Sequence, residues 1–283
     1  MNSSLQKLSD NTLELTITIP WADVAKQYQT SVDEAAANTE LSGFRKGKAP
    51  RDLVEKNLDK TKVYEEVLKV LIPKVYNEAV TEKKIKPIIS PKVELKEANE
   101  NKDWVIRILT CEKPDVTLGD YKKAIGDLKA GMSAKIWKPG DKQEEKPQTT
   151  KPTLDELLMA LYGTVTISLP SLLIEHEVNR LLSELIDQTK KLGLSVEQYL
   201  ASTKRTADSV RHEYEEQAKR TLTLEFALET IADKDGVLIS DDEIDTVINT
   251  AKTDEEKKAL ANQRYYLASI LRRQKTLDML ASL

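Results

Sequence analysis

The segment of the chain best suited to chemistry is Gly43-Phe44-Arg45-Lys46-Gly47-Lys48-Ala49-Pro50. From Phe44 to Arg51 it holds four basic residues and no acidic one, in a chain whose 43 Lys and Arg against 47 Asp and Glu leave a formal charge of −4. Two glycines allow the backbone positive φ, so the loop can form a tight tip that presents Phe44, Arg45 and Lys46 outward. Arg and Lys suit phosphate or carboxylate partners, and an exposed Phe adds an apolar anchor. The chemistry is that of docking on a mixed protein and RNA surface rather than of catalysis. The plainer reading is a solvated loop whose Phe folds back on its own domain.

Catalytic groups are sparse. The two histidines, His176 and His212, lie at ligand spacing neither from each other nor from Cys111, so no metal site is expected. No GxxxxGK[ST], GxGxxG or GxSxG occurs, and no cofactor is expected. The carboxylates are spread over helix faces, where solvated charge is the ordinary explanation. The acidic balance excludes a global polycation for nucleic acid, so any RNA contact must be local. The N-terminal residues lack a basic segment followed by an apolar run, and no stretch approaches the roughly 18 apolar residues of a membrane span. A single cysteine agrees with a reducing compartment, and a cytoplasmic location without membrane contact is the default expectation.

These residues need elements to position them. At 283 residues the chain exceeds a usual domain of roughly 100–200 residues, so two domains are expected. Leu13, Leu15, Ile17 and Ile19 alternate as in a half-buried strand. Trp21, Val24, Ala25, Tyr28, Val32 and Ala35 recur at helical steps, predicting a helix to about Leu41. Pro50 is placed to open a short helix through Leu53 and Val54. A helix follows over Val63 to Ala79, which Pro73 should kink or interrupt. Val93 and Leu95, then Trp104, Ile106 and Ile108, read as two strands joined by a turn at Asn99–Lys102. The expected fold class is α+β: an α+β domain over 1–113, a flexible linker over 114–152, and an all-α domain of about five helices over 153–283. In the last part, Gly193 is a helix stop. Ser195 with Gln198, Ser240 with Glu243, and Thr253 with Glu256 have capping-box spacing.

The loop, following a strand and a helix and preceding a short helix, resembles the GFRxGxxP signature of the trigger factor family, which docks beside the ribosomal exit tunnel. Leu169-Pro170-Ser171 with Leu173, Glu175 and Glu177, then Leu192-Gly193-Leu194-Ser195 through Tyr199-Leu200, is similar to the opening of that family's C-terminal chaperone domain. Arg220 to Ile231, and Val237 to Glu243, continue the likeness. The resemblance implies ribosome contact through Gly43, Phe44, Arg45, Lys46, Gly47, Lys48 and Pro50, with a ribosomal protein and nearby rRNA as partners. It also implies ATP-independent holding of nascent and unfolded polypeptides. The family can dimerise away from the ribosome, so a homodimer is an expectation at family level.

One departure stands out. Trigger factors typically carry an FKBP-like prolyl-isomerase domain where only 114–152 lies here, with Tyr121, Trp137 and no Phe to build its aromatic pocket. Isomerase activity is therefore expected to be absent. Client contact is expected from exposed apolar residues such as Met159, Leu161, Tyr162, Tyr265, Tyr266, Leu267 and Met279, with core packing as the competing reading for each. Two rivals are a prolyl isomerase with a degenerate central domain and a free-standing chaperone of the SurA type. A proline-limited refolding assay would separate the first; the second needs a signal peptide and has no use for the basic loop.

Overall fold

The computed structural model describes residues 2–38, 44–45, 47, 50–133, 152–251 and 253–283. It divides into two compact units, Met1–Lys113 with Pro170–Leu173, and Pro114–Leu169 with Ile174–Leu283.

The first unit is a four-stranded sheet covered by helices. Strands β1 (Asn2–Lys7), β2 (Leu13–Ile19), β3 (Lys92–Glu97) and β4 (Trp104–Thr110) lie in the order β1-β2-β4-β3, each antiparallel to its neighbour. The alternation in β2 and β4 is mirrored in their burial, every second residue facing the core, and the register stacks Leu15 on Ile108, Ile17 on Ile106 and Ile19 on Trp104. Helices α1 (Trp21–Asn38), α2 (Arg51–Asn57) and α3 (Lys60–Lys83) follow β2. Val24, Tyr28 and Val32 of α1 and Val63, Val67, Leu71, Val75 and Ala79 of α3 close this core. On the open face Arg107 bridges the strands, donating to Glu14 at 2.8 Å and Glu94 at 3.1 Å.

Two features differ from the sequence expectation. Strand β1 has no alternation because it is an edge strand exposed on both faces; its polar residues are held by backbone pairing with β2. Helix α3 runs unbroken through Pro73. Pro73 is exposed, while a buried residue every four positions from Val63 to Ala79 packs on both sides of it. Each such side chain contributes roughly 1.5–3 kcal/mol, enough together to exceed the roughly 3 kcal/mol an interior proline costs.

The second unit opens inside the stretch read as linker. Strand β5 (Val116–Leu118) pairs antiparallel with β6 (Val165–Ile167), and helix α4 (Tyr121–Ser133) lies between them in sequence. Tyr121 and Ile125 are buried with Leu157, Leu161, Ala227, Leu228, Ile231 and Leu280. The linker expectation is thus corrected for 114–133. Tyr121, Ile125 and Leu128 do stand at helical steps, but Gly126, Gly131 and interspersed lysines dilute the signal. The remainder of that stretch, including Trp137, lies outside the described residues.

Among the described residues seven helices follow, where about five are expected: α5 (Leu154–Tyr162), α6 (Ser171–Lys191), α7 (Val196–Thr203), α8 (Ala207–Lys234), α9 (Asp241–Asn249), α10 (Asp254–Asn262) and α11 (Arg264–Ser282). With β5 and β6 present, the unit is mostly rather than wholly helical. All three predicted capping boxes form, and two more appear at Thr153 with Glu156 and Thr206 with Ser209. Gly193 ends α6 with φ of 71°, and Leu194 N–H bonds to Thr189 C=O at 3.0 Å, the wide bond of a glycine-terminated helix. A second core joins Ile244, Ile248 and Leu267.

Helix α4 is tied to the end of α8 through Asp235, which accepts from Tyr121 Oη at 3.0 Å and Lys122 Nζ at 3.1 Å. Burial opposes the charge on Asp235, but those hydrogen bonds and the ammoniums of Lys122 and Lys234 outweigh it and hold its pKa below the ordinary value. A carboxyl depressed in the fold stabilises above its unfolded pKa and loses that contribution as pH falls through the folded value. Asp235→Asn should therefore flatten the acid limb of a urea-midpoint profile measured from neutral pH downward. An acid limb unchanged from wild type would remove Asp235 from the account.

Candidate functional site

The basic loop joins α1 to α2, and each flank is pinned. Arg51 at the start of α2 reaches back to α1, its Nε 2.6 Å from Asp33 Oδ1 and its Nη2 donating to Gln29. Val54 is fully buried, and Leu58 packs against the sheet core. Pro50, with φ of −56°, caps α2 and accepts from Leu53 and Val54 N–H at 3.0 and 3.1 Å. Arg51 is thus spent on a structural bracket, although composition alone counts it with the loop's free charge.

Within that bracket Gly47 has φ of 71°, a left-handed conformation that favours glycine. A side-chain carbon there would lie 2.8 Å from Ala37 O, so the loop returns close along the last turn of α1. Phe44 is 41% exposed and Arg45 is exposed beside it. Of the predicted docking residues, Phe44, Arg45, Gly47 and Pro50 lie on this loop as described; Gly43, Lys46 and Lys48 lie outside the described residues. An apolar ring next to a guanidinium on a short, bracketed loop can insert into a crevice while pairing with phosphate or carboxylate.

In the helical unit the seven expected client residues divide. Met159 is 55% exposed and Tyr265 90% exposed, and Tyr162 and Tyr266 are exposed with them. Leu161 is fully buried against Leu157 and Ile231, and Leu267 is buried with Ile244 and Ile248. Met279 is half-buried against the first of these clusters. Leu161 and Leu267 lie on the inner sides of their helices, and Met279 packs beside its fully buried neighbour Leu280. Leu192, Leu194 and Leu238, which the sequence expectation does not name, are exposed as well. Leucines flanking Gly193 at a helix stop were the available signal for the first two.

His176 and His212 are both exposed, and among the described residues no cluster of His, Cys, Asp or Glu could hold a metal ion. Cys111 is buried, and burial, with Asp10 nearby, pushes its thiol up to about 11, which makes it an inert core residue. Among the described residues no helix is long and apolar enough to cross a membrane.

Comparison with known proteins agrees with this arrangement. A family profile described as bacterial trigger factor protein matches residues 1–130, and one described as the bacterial trigger factor C-terminus matches residues 134–282. The trigger factor of Carboxydothermus hydrogenoformans is 24% identical over 420 residues, covering 99% of this chain and 98% of that protein. A trigger factor of Staphylococcus aureus is 32% identical over 122 residues, which are 43% of this chain and 28% of the relative. A solved structure described as "Promiscuous Substrate Recognition in Folding and Assembly Activities of the Trigger Factor Chaperone" superposes with a TM-score of 0.65 at 15% identity, covering 100% of this chain and 99% of that one, a likeness of fold. With both halves matched by its profiles, the chain belongs to the bacterial trigger factor family.

Proposed function

We propose that this protein is a ribosome-docking, ATP-independent holdase that works in the cytoplasm without prolyl-isomerase activity. The observation that carries the reading is the loop bracketed by Arg51 and α1, with Phe44 and Arg45 exposed on it, in a chain of this family. Docking beside the exit tunnel, on a ribosomal protein and adjacent rRNA, places the helical unit next to emerging polypeptide. Client binding then becomes effectively intramolecular, so weak apolar contacts suffice and no nucleotide cycle is needed. Exposed Met159, Tyr162, Leu192, Leu238, Tyr265 and Tyr266 supply such contacts. The two matched ranges leave only residues 131–133 between them, which supports a protein without an inserted isomerase domain.

The test is co-sedimentation with bacterial ribosomes. The intact protein should pellet in a salt-sensitive manner, and a variant carrying Phe44→Ala, Arg45→Ala and Lys46→Ala should stay in the supernatant with its helicity unchanged. Equal pelleting of both proteins would remove the loop from the mechanism. Independently, the intact protein should suppress aggregation of a refolding client without added ATP.

A further inference from the structure

Between α3 and β3 the chain is neither helix nor strand, yet its residues alternate in burial. Lys84, Lys86, Ile88 and Ser90 are exposed, as is Lys92 at the start of β3, while Ile85 is buried and Pro87, Ile89 and Pro91 are half-buried. From Lys83 to Lys92 four lysines occur with no acidic residue, a second basic stretch beside the loop at 43–50. The segment is pinned: Ile85 N–H donates to Val80 O at 3.0 Å, Lys86 N–H to Glu112 Oε1 at 2.7 Å, and Ile88 N–H to Cys111 O at 3.1 Å. Pro87 and Pro91 fix φ at two further positions. What results is a rigid ridge with cations on its outer side.

The dipole of α3 explains a lysine in its last turn, Lys83, which is also paired with Glu82 at 2.9 Å; that effect fades beyond the turn and leaves Lys86 and Lys92 unexplained. Lys84 and Lys86 make no ion pair among the described residues, and neither does Lys7, which ends β1 at the same end of the sheet, opposite Leu13 and through it Thr110. Of the carboxylates at that end, Glu82 is held by Lys83 and Ser3, Asp10 by Thr12 and Ser171. Alternate positions of an extended backbone lie roughly 6.5–7 Å apart. A nucleic-acid strand carries a charge at every step, so an evenly spaced row of cations finds partners in any register. The ridge has no Arg or aromatic side chain for reading or stacking on bases, whereas lysine point charges and the Ser90 hydroxyl suit phosphate oxygens. We infer that Lys84, Lys86 and Lys92, with Lys7 at the same sheet end, form a second docking surface that takes the phosphate backbone of RNA without regard to sequence. The inference rests on the ribosome-docking reading and deepens it, adding an RNA contact that the loop does not supply.

The experiment compares the intact protein with Lys84→Gln/Lys86→Gln/Lys92→Gln, in ribosome co-sedimentation over a salt series and in binding to a labelled RNA hairpin at low salt. The variant should bind ribosomes about three- to tenfold more weakly, with a slope of log affinity against log salt smaller by about one for each lysine that meets a phosphate. Hairpin affinity should fall with it. Replacing the same three lysines by arginine should restore both, and circular dichroism should match the intact protein throughout. An unchanged salt slope or an unchanged hairpin affinity would overturn the ridge while leaving docking through the loop in place. A variant that loses affinity for a poly-glutamate peptide but not for the hairpin would assign the ridge to an acidic protein segment and equally overturn the inference. Failure of the intact protein to pellet at any salt would remove the docking reading and the ridge together.

Discussion

Replacing Gly47 by valine should abolish ribosome pelleting as completely as removing the side chains of Phe44, Arg45 and Lys46, although it alters none of them. The backbone at Gly47 is left-handed, and a side-chain carbon there would meet a backbone oxygen, Ala37 O, at 2.8 Å. Unlike the end of a flexible side chain, that oxygen belongs to the last turn of α1 and cannot rotate away. The left-handed conformation alone costs a non-glycine residue roughly 1–2 kcal/mol, and a β-branched one is a worse case. The flanks cannot absorb the strain, because Arg51 is paired with Asp33 and Val54 is buried. The loop is therefore expected to leave its conformation, carrying Phe44 and Arg45 with it, and each 1.4 kcal/mol of misplacement is a tenfold loss of affinity. Gly47→Ala should give a smaller loss of the same kind. Circular dichroism should show helix content unchanged, since the core between the sheet and α3 contains none of the loop's described residues. Pelleting of Gly47→Val at the level of the intact protein would mean that loop geometry is irrelevant to docking.

This dependence was legible in part. Two glycines around a basic, aromatic tip predicted positive φ, and Gly47 has it. That Gly47 lies against Ala37, and that Arg51 is consumed by Asp33, depends on how α1 and α2 pack, which spacing does not encode. The same division runs through the fold. Strand β2 and helix α1 carried their own periodicity because one face of each is buried and the other wet. Strand β1 is exposed and held mainly by backbone pairing, and α4 is diluted by glycines, so neither carries a clear periodicity. Pro73 suggests a break because local propensity takes no account of the row of buried residues that overrides it. The capping boxes read well since a cap is a local device, completed by residues three apart.

The proposed client surface is the least legible part, and Leu161→Ala shows why. Leu161 stands between Ala160 and Tyr162 in a helix rich in apolar residues on every side, so pattern gives no reason to place it apart from Met159. In the fold it has no exposure and packs in the cluster with Leu157, Ala227, Leu228, Ile231 and Leu280. Its truncation should cost roughly 2–5 kcal/mol, from lost burial and the cavity left behind. Against a typical stability of about 5–15 kcal/mol that is a large share of what holds the helical unit together. Met159→Ala, two residues away and exposed, should stay within about 0.5 kcal/mol of wild type. Two units preclude a single two-state unfolding free energy, so the measurement should be local. Amide exchange across α8, which carries Leu228 and Ile231, should accelerate strongly in Leu161→Ala and not in Met159→Ala, with the β2 and β4 amides unaffected in both. Peptide affinity should show the opposite pattern at temperatures where both variants are folded, falling for Met159→Ala and holding for Leu161→Ala. If Leu161→Ala lowered affinity at full helicity without faster exchange in α8, Leu161 would belong to the client surface after all, and the inward orientation of α5 would have to be abandoned.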